Sequence, residues 1–562
     1  DDDYYRFAGS VSGPISDSVG FRLNAYYDDF GGNIKNVPDG KDLQATESQG
    51  ARAKIRVDAS EDLVVTLLAE YNELDQSFSA GTFREVAPGA AFVGQIPSAL
   101  WLGDINPGEG NFQSAYDTLP VSTSEDYALS VKLEYNLGEH TVTSITGWRN
   151  WEYQNTTDLD GTGFAVSGFS LDQSSTYEID QVTQEIRIIS PASEIFEYVA
   201  GLWYSSSDYD RSFQRGPVFG ANWVAFAGNE ALSIFGQGTW KLAEGLEFTA
   251  GLRYHTEDIE VDFDNILAAD TYIGKDDDST VLGRAALQYF VNDDVMIYAS
   301  YARGYKGKAY NTTSSFSQKQ ADNPVGTEDS DSYELGMKGD FMDGRIRLNA
   351  NYFMVTYEGF QAQGGKINPA TNLVELDLNN VGELETSGLE IDFTALLSEN
   401  LIANIGASWT DATINEFPFA NCYTGQTAAQ GCVNGTQDLA GKPLNNSPDM
   451  KLVASLDYGF NVSSGLDGFA RLNYQWQDEV NFSLSNDPLT VLDSYGILNL
   501  SAGVESTDGQ YTITAFINNV TDEFYVTAIP NLSQLYGGST VLTQIVPRNA
   551  ERIMGVRLKY NF

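Results

Sequence analysis

The side chains with the greatest reactive potential are few and widely separated. The two histidines, His140 and His255, have no cysteine or second histidine near them, so a zinc site built from nitrogen and sulfur ligands is not expected. His255 falls beside Arg253 and Glu257 in a segment where apolar and polar residues alternate, which predicts a hydrated position on the polar face of a strand. No constellation of a nucleophile, a base and an orienting group emerges. We therefore expect neither an enzyme nor a bound cofactor.

Two acidic runs could attract calcium. They are residues 276–278 (DDD) and residues 328–331 (EDSD). A dedicated calcium loop places its oxygen ligands at fixed alternating positions around a glycine, and neither run has that spacing. The alternative that we favour is that the carboxylates of both runs lie on loops and are exposed to water.

The only two cysteines, Cys422 and Cys432, lie in one stretch that is rich in Gly, Asn and Thr. Two close cysteines in a loop predict a local disulfide in an oxidising compartment. A metal pair is less favoured, because no histidine is near and the spacing is wide.

Aromatic residues are concentrated in two long segments, 75–125 and 210–226, that we expect to be surface loops. Aromatic rings on such loops could stack on a bound ligand, and they could equally pack the loops against each other. The candidate ligand contacts are Phe78, Phe83, Phe92, Trp101, Phe112, Tyr116, Phe213, Phe219, Trp223 and Phe226.

Composition excludes several functional classes. The chain has 562 residues and a formal charge of −46, and because phosphate contacts need a basic face, nucleic acid is not expected as a partner. The acidic charge keeps a surface solvated; alternatively, it lies on extracellular loops that divalent cations bridge to lipopolysaccharide. The longest apolar run, residues 63–69, is interrupted by Thr66, and a membrane-spanning helix needs about 20 apolar residues. A chain of this kind that spans a membrane must do so as a closed barrel.

Several segments alternate strictly between apolar and polar residues, which is typical of strands with one oily face. In residues 246–256 the apolar positions are Phe248, Ala250, Leu252 and Tyr254, and the last segment ends in Tyr560 and Phe562. The runs reach ten residues or more, whereas strands of a soluble sandwich average about 5–6. A strand that crosses a membrane needs about 9–11 residues. The run length therefore favours a membrane barrel.

Short and long connectors alternate along the whole chain. The short connectors include 13–18, 60–62, 136–139, 243–245, 292–294, 342–344, 398–400 and 506–510. The long ones include 31–50, 75–125, 154–174, 210–226, 262–279, 305–328, 361–383, 414–447, 482–492 and 522–548. Short turns on one rim and long loops on the other indicate an outer-membrane barrel. The pattern predicts an all-β, up-and-down antiparallel barrel of about 22 strands, with about 21 of them in this chain.

A resemblance to one family rests on several stretches in order. They are 301–311 (YARGYKGKAYN), 333–338 (YELGMK), 343–349 (DGRIRLN), 352–357 (YFMVTY), 387–391 (SGLEI), 446–448 (NSP), 518–525 (NNVTDEFY) and 547–548 (PR), with 9–17, 21–24, 495–500 and Phe562 beside them. Their order and spacing resemble the β-barrel of the TonB-dependent receptors of Gram-negative outer membranes, and the resemblance covers the whole chain.

The resemblance implies a function and several partners. We expect residues 1–562 to form one barrel domain, without the N-terminal plug domain and TonB box of the family. The family binds a scarce nutrient outside the cell, and TonB supplies the energy for its import. A ferric siderophore is the first expectation, with a glycan, cobalamin or another bulky nutrient as alternatives. Outer-membrane lipid and lipopolysaccharide would surround the barrel, and Tyr560 and Phe562 would be its signal to the barrel-assembly machinery.

Two other functions are compatible with a barrel. A passive porin predicts an open lumen and fewer strands. An adhesion or assembly scaffold predicts that the long loops contact other proteins and that no nutrient binds.

Overall fold

A computed structural model describes residues 4–77, 81–158, 161, 171–217, 220–368 and 373–561. Among the described residues, the two α-helices, Ser98–Trp101 and Gln318–Ala321, have four residues each. No helix in this part of the chain is long and apolar enough to cross a membrane.

One 22-stranded antiparallel sheet dominates the molecule. It holds 21 long strands and the two-residue strand Lys442–Pro443, which pairs with the sixteenth of them. The long strands are β1 (Tyr4–Ser16), β2 (Val19–Phe30), β3 (Thr46–Asp58), β4 (Leu63–Gln76), β5 (Val121–Leu137), β6 (His140–Asp158), β7 (Leu171–Ile189), β8 (Phe196–Pro217), β9 (Ala221–Ala243), β10 (Leu246–Asn265), β11 (Asp270–Asn292), β12 (Val295–Lys306), β13 (Glu328–Phe341), β14 (Ile346–Asn368), β15 (Leu373–Ser398), β16 (Leu401–Glu416), β17 (Met450–Ser463), β18 (Leu466–Gln477), β19 (Tyr495–Ser506), β20 (Tyr511–Asn518) and β21 (Ile553–Tyr560).

Shorter elements lie in the long connectors. The short strands are Ile34–Asn36, Asp42–Leu43, Thr82–Val86, Ala91–Phe92, Ile96–Pro97, Gln113–Ser114, Ala420–Asn421, Thr436–Gln437, Val480–Asn481, Val491–Leu492 and Val541–Gln544, and the 3-10 turns are Ala428–Gln430, Pro488–Thr490 and Ser533–Tyr536.

Every long strand pairs with its neighbour in sequence, from β1–β2 to β20–β21. The predicted antiparallel barrel and its strand number are confirmed. Within the described residues, β1 pairs with β2 alone and β21 with β20 alone, and both edge strands run towards the short-turn rim. Their long-connector ends are brought together by Arg548, whose guanidinium lies 4.1 Å from the ring of Tyr4 and 3.8 Å from that of Phe30.

The two faces of the sheet differ in the way the sequence predicts. On β5, Leu129, Val131 and Leu133 are all exposed on the outer face, whereas Lys132 and Glu134 form an ion pair of 2.8 Å on the inner face. Because lipid accepts apolar side chains and a hydrated lumen accepts charge, this alternation lets one strand serve both environments.

Several segments that were predicted to be long loops are largely strand in the structure, because the neighbouring strands extend into them. Segment 210–226 is an extension of β8 and β9, joined by residues 218–220, and segments 262–279 and 361–383 are strand extensions of the same kind. These strands reach 20 to 26 residues, about twice what the bilayer requires. The barrel wall therefore rises well above the membrane at the long-connector rim, which is the extracellular one.

The connectors of the first and last parts of the chain pack into one layer above the barrel. Strand Thr82–Val86 pairs with strand Val541–Gln544, and their ladder joins loops more than 450 residues apart in sequence. Gln544 is fully buried, and its side-chain amide donates to the backbone oxygens of Gly108 (3.1 Å) and Glu109 (2.8 Å). We call this assembly, formed by the described parts of 31–45, 77–120, 478–494 and 519–552, the loop layer.

Its largest buried cluster draws on all four connectors. The members are Ile34, Leu43, Tyr116, Val480, Leu492, Val526, Ile529, Leu542, Val546 and Ala550.

Substitution with arginine on β5 tests which face meets lipid. Val131→Arg puts a charge on the lipid face near the middle of the membrane-spanning part and is expected to cost about 2–4 kcal/mol of folding free energy. Ser130→Arg, on the adjacent inner position, should cost far less, because the lumen is hydrated. Urea unfolding of the protein in phospholipid vesicles measures both. Equal costs for the two variants would contradict the assignment of the faces.

Cys422 and Cys432 are joined by a disulfide in the connector between β16 and β17. Two backbone hydrogen bonds flank it, from Cys422 to Gly435 and from Cys432 to Thr427, each of 3.2 Å. We predict that reduction destabilises this connector locally by at most about 3 kcal/mol, since the closed loop is short. Limited proteolysis with and without reductant should show faster cleavage near residues 422–432 and an unchanged barrel. A stoichiometric thiol signal in the native, unreduced protein would contradict the bond.

Candidate functional site

The inner face of β10 carries the residues that sequence periodicity placed there. Arg253, His255 and Glu257 lie at alternate positions, and the paired position opposite His255 on β9 is Ser233. The Ser233 hydroxyl is 2.8 Å from His255 Nδ1. The Arg253 guanidinium lies over the ring of Trp203 on β8, 5.0 Å from its centroid. A cation and an indole face are therefore presented together on a half-exposed inner wall.

Above this wall, Tyr305 at the end of β12 joins two carboxylates. Its hydroxyl is 2.8 Å from Glu257 Oε1 and 2.7 Å from Asp278 Oδ2. A phenol has one proton to donate, so at any moment the Tyr305 hydroxyl donates to one of the two carboxylates. Glu257 is buried, with 7% of its surface exposed, and it also accepts a hydrogen bond of 3.0 Å from the backbone N–H of Lys308.

The residues after Tyr305 anchor the next connector to the wall. Gly307 passes so close to the Glu257 carboxylate that any side chain at position 307 would overlap it. Lys308 Nζ donates to Asp276 Oδ2 (3.0 Å) and to the carbonyl of Asp277 (2.9 Å). We call Trp203, Arg253, His255, Glu257, Asp278, Tyr305 and Lys308 the luminal cluster.

Beyond the cluster, connector 307–327 folds onto an aromatic core. Phe316 packs on Phe263, with ring centroids 4.9 Å apart, and Trp223 packs between Phe263 and Phe213. Burial, together with the negative charges of Asp276 and Asp322, raises the pKa of Tyr310, at the edge of this core, to about 12. At physiological pH the phenol of Tyr310 is therefore neutral, and its ring packs against the aromatic core.

Arg211 completes this core from the inner face of β8. Its guanidinium lies 4.9 Å from the ring centroids of both Tyr177 and Trp223, and it donates a hydrogen bond of 3.0 Å to the Thr312 carbonyl. Cation–aromatic contacts of this kind stabilise most where water is excluded. The arrangement ties the connector to the upper wall.

Five of the ten aromatic residues proposed as ligand contacts are packed against other loop residues. Phe83, Phe92 and Trp101 are buried around Tyr536, and Tyr116 is buried in the largest cluster of the loop layer. Phe112 packs edge-on against Phe524. In this arrangement their rings hold the loops together, and contact with a ligand would require the loops to move. Their role as ligand contacts stays a prediction.

The other proposed contacts lie on strands or outside the described residues. Phe213 and Trp223 are buried in the core above β8 and β9. Phe226 points outwards and lines a cavity of about 550 Å³ on the outer wall, together with the carboxylates Glu152, Glu178, Asp210 and Asp262. Phe78, Phe219 and Phe562 lie outside the described residues. Tyr560 ends β21 at the short-turn rim and is exposed.

The acidic runs are engaged by protein donors. Besides the contacts of Asp276 and Asp278, Asp331 accepts a hydrogen bond of 2.6 Å from Tyr301, and Glu328 accepts one of 2.7 Å from the backbone of Gln361. Solvated loop charge therefore describes these runs incompletely.

Three other carboxylates lie close together in the described part of the chain. Oxygens of Asp117, Asp158 and Asp172 all lie within 4.8 Å of one another. These three residues are far apart in sequence, so no spacing motif could have revealed them.

Loss of the Tyr305 hydroxyl should loosen connector 307–327 locally. Tyr305→Phe removes a hydrogen bond to a buried carboxylate, and we expect a local cost of about 1.5–3 kcal/mol. Hydrogen exchange of the backbone amides at 307–327 should then accelerate by about 10- to 100-fold. The matched control is Tyr27→Phe, which removes an exposed bond of 3.1 Å to Glu47 and should leave these amides unchanged. Unchanged exchange in Tyr305→Phe would show that the cluster does not anchor the connector.

Comparison with known proteins places this geometry in a family. Residues 57–520 match the family described as TonB dependent receptor-like, beta-barrel. A pesticin receptor of Yersinia enterocolitica is 24% identical over 530 residues, covering 89% of this chain and 72% of the relative.

Solved structures share the fold. The ferric yersiniabactin uptake receptor FyuA of Yersinia pestis superposes with a TM-score of 0.78 at 19% identity, over 100% of this chain and 78% of that one. The ferripyoverdine receptor of Pseudomonas aeruginosa has a TM-score of 0.70 at 16% identity, over 100% and 70%. These relatives are receptors rather than enzymes. The chain belongs to the TonB-dependent receptor-like β-barrel family, whose members are Gram-negative outer-membrane proteins.

Proposed function

We propose that this protein is an outer-membrane receptor that binds a ferric siderophore at the cell surface and imports it with energy relayed by TonB. The observation that carries the proposal is the pairing of Arg253 with Trp203 on the inner wall, next to His255 and below the loop layer. The relatives named as a ferric yersiniabactin receptor and a ferripyoverdine receptor support the same ligand class.

The chemistry of this wall suits a bulky iron chelate. A ferric siderophore surrounds Fe³⁺ with oxygen-rich groups, often carries negative charge, and in many cases includes aromatic rings. Arg253 offers a fixed positive charge, and Trp203 offers a flat apolar face that can stack on a ring. Lys308 lies higher on the same side, where its bonds to Asp276 and Asp277 set its position.

Transport by such a receptor requires binding and passage but no change in covalent bonds. The wall and the loop layer would enclose the chelate, and the energy for its release into the periplasm would come from TonB. A passive pore needs no such energy, so dependence on TonB separates the two functions.

Uptake of ⁵⁵Fe by cells tests the proposal. A strain that lacks this protein and its other siderophore receptors should regain ⁵⁵Fe uptake from one chelate of a panel of catecholate, hydroxamate and phenolate siderophores when the protein is supplied. Deletion of tonB should abolish that uptake. Uptake that persists without TonB would indicate a porin, and failure of every chelate would favour a receptor for another nutrient or a scaffold.

Substitution of the wall residues locates the ligand. Trp203→Ala should weaken binding of the active chelate by about 5- to 30-fold, because an aromatic or cation–aromatic contact contributes about 1–2 kcal/mol. Trp409→Ala is the matched control, because Trp409 is 67% exposed on the outer face of β16. Intrinsic fluorescence titration of the purified protein gives both affinities. Equal affinities in the two variants would place the ligand elsewhere.

A further inference from the structure

An apolar strip lies on the outer wall of the barrel above the bilayer. The outer positions of β9 change from Leu232, at the level of the lipid, to the charged Glu230, and further up they carry Phe226 and Val224. Val224 is 40% exposed, and Phe226 lies about 20 Å beyond Leu232 along the strand. Because Glu230 marks the end of the lipid-facing band, lipid does not account for these two apolar side chains.

Carboxylates flank this strip on both neighbouring strands. Phe226 is paired with Asp210 on β8 and with Asp262 on β10. Val224 is paired with Asp264 on β10. All of these residues line the cavity of about 550 Å³ on the outer wall, a volume typical of sites for small molecules. We call Asp210, Val224, Phe226, Asp262 and Asp264 the outer groove.

The two carboxylates that flank the aromatic ring carry charge that the described residues do not neutralise. Within this part of the chain, neither Asp210 nor Asp262 has a lysine or arginine at ion-pair distance. Lys275, a cation of the adjacent strand β11, pairs with Glu260 instead. Arg211 follows Asp210 in the sequence but points inwards, into the aromatic core. A cation that balances the outer groove would therefore come from solution.

Like charges beside the groove increase the benefit of such a cation. Glu178 on β7 is the paired residue of Asp210, and like charges in directly opposite positions destabilise a sheet. Partial burial, together with the negative charges of Glu178 and Asp208, raises the pKa of Asp210. A positive group held next to Asp210 would offset both the burial and the repulsion.

The spacing of the carboxylates indicates the kind of cation. Asp210 and Asp262 lie two strands apart, so their backbones are separated by about 9–10 Å, and the ring of Phe226 stands between them. A single hard metal ion needs all its oxygen ligands at about 2.3–2.6 Å and gains nothing from an apolar floor. Two ammonium groups joined by a methylene chain can reach both carboxylates. The methylenes then cover Phe226, whose ring also attracts the ammonium charge.

We propose that the outer groove binds a small linear polyamine, an aliphatic chain that carries ammonium groups at intervals. Its charge complements the carboxylates on both sides, and its methylenes complement the apolar strip between them. The size of the cavity suits a molecule of this kind rather than a folded protein. The proposal goes beyond the receptor function, because the groove lies outside the lumen and requires no iron chelate.

Titration calorimetry with spermidine tests the proposal. The purified 562-residue protein is titrated in a neutral detergent, without siderophore and without divalent cations. We expect saturable binding. D210N/D262N should raise the dissociation constant by about tenfold or more, because charge-assisted hydrogen bonds are lost. Phe226→Ala should raise it by about 2- to 5-fold, the effect of one cation–aromatic contact at an exposed site.

A matched control and two competing cations decide the outcome. E47Q/D75N removes the same charge from a paired position of β3 and β4 and should leave the affinity unchanged. Heat-modified mobility on gels reports folding, and Asp262→Asn alone should still weaken binding severalfold if the double variant does not fold. Absence of binding, or equal affinities in D210N/D262N and the control, would overturn the proposal. Preference for Mg²⁺ or for a lysine tetrapeptide over spermidine would assign the groove to another occupant and would also overturn it.

Discussion

The structure depends on one constraint: inside a bilayer no water is present to satisfy the backbone, so every N–H and C=O must find a partner within the protein. An unbroken series of antiparallel ladders from β1 to β21 meets this requirement for the strands between these two edges. Once the backbone is hydrogen-bonded in this way, successive side chains of a strand can be apolar on one face and polar on the other. Val131 therefore faces lipid while its neighbour Lys132 faces the lumen. The functional surface is built from the side chains that face the lumen.

Sequence periodicity predicted the barrel because lipid imposes it on the outer face. Above the membrane that requirement ends, although the ladder continues. The outer positions of β8 to β10 change from Leu202 and Leu232 near the bilayer to Asp210, Glu230 and Asp262 above it, while the pairing remains regular. The apolar–polar alternation disappears there, and the extended strands resemble loops in the sequence. The errors at 210–226 and 262–279 have this single cause.

The site was less predictable than the fold. Periodicity alone placed Arg253, His255 and Glu257 on the inner face of β10, because that inference needs only local sequence. The contacts of Tyr305 and Lys308 with Glu257 and Asp276 join residues 32 to 51 positions apart, and no local pattern encodes them. The loop aromatics present the same difficulty, since Phe92 is buried by Tyr536 from the opposite end of the chain.

The luminal cluster links the lower wall to the outer connectors through direct contacts. Trp203 lies beside His255, with ring centroids 6.3 Å apart, and His255 lies 5.8 Å from Tyr305. Tyr305 and the backbone of Lys308 both hold Glu257, and a few residues later the same connector reaches the aromatic core. A molecule bound at Trp203 therefore touches a wall whose next neighbours anchor connector 307–327. If that connector has two arrangements with different affinities for the molecule, binding shifts the equilibrium between them. The factor by which the equilibrium shifts equals the ratio of the two affinities. The burial of Glu257 affects the equilibrium between the two arrangements of the connector. Release of the connector would expose a carboxylate that accepts two hydrogen bonds in the structure.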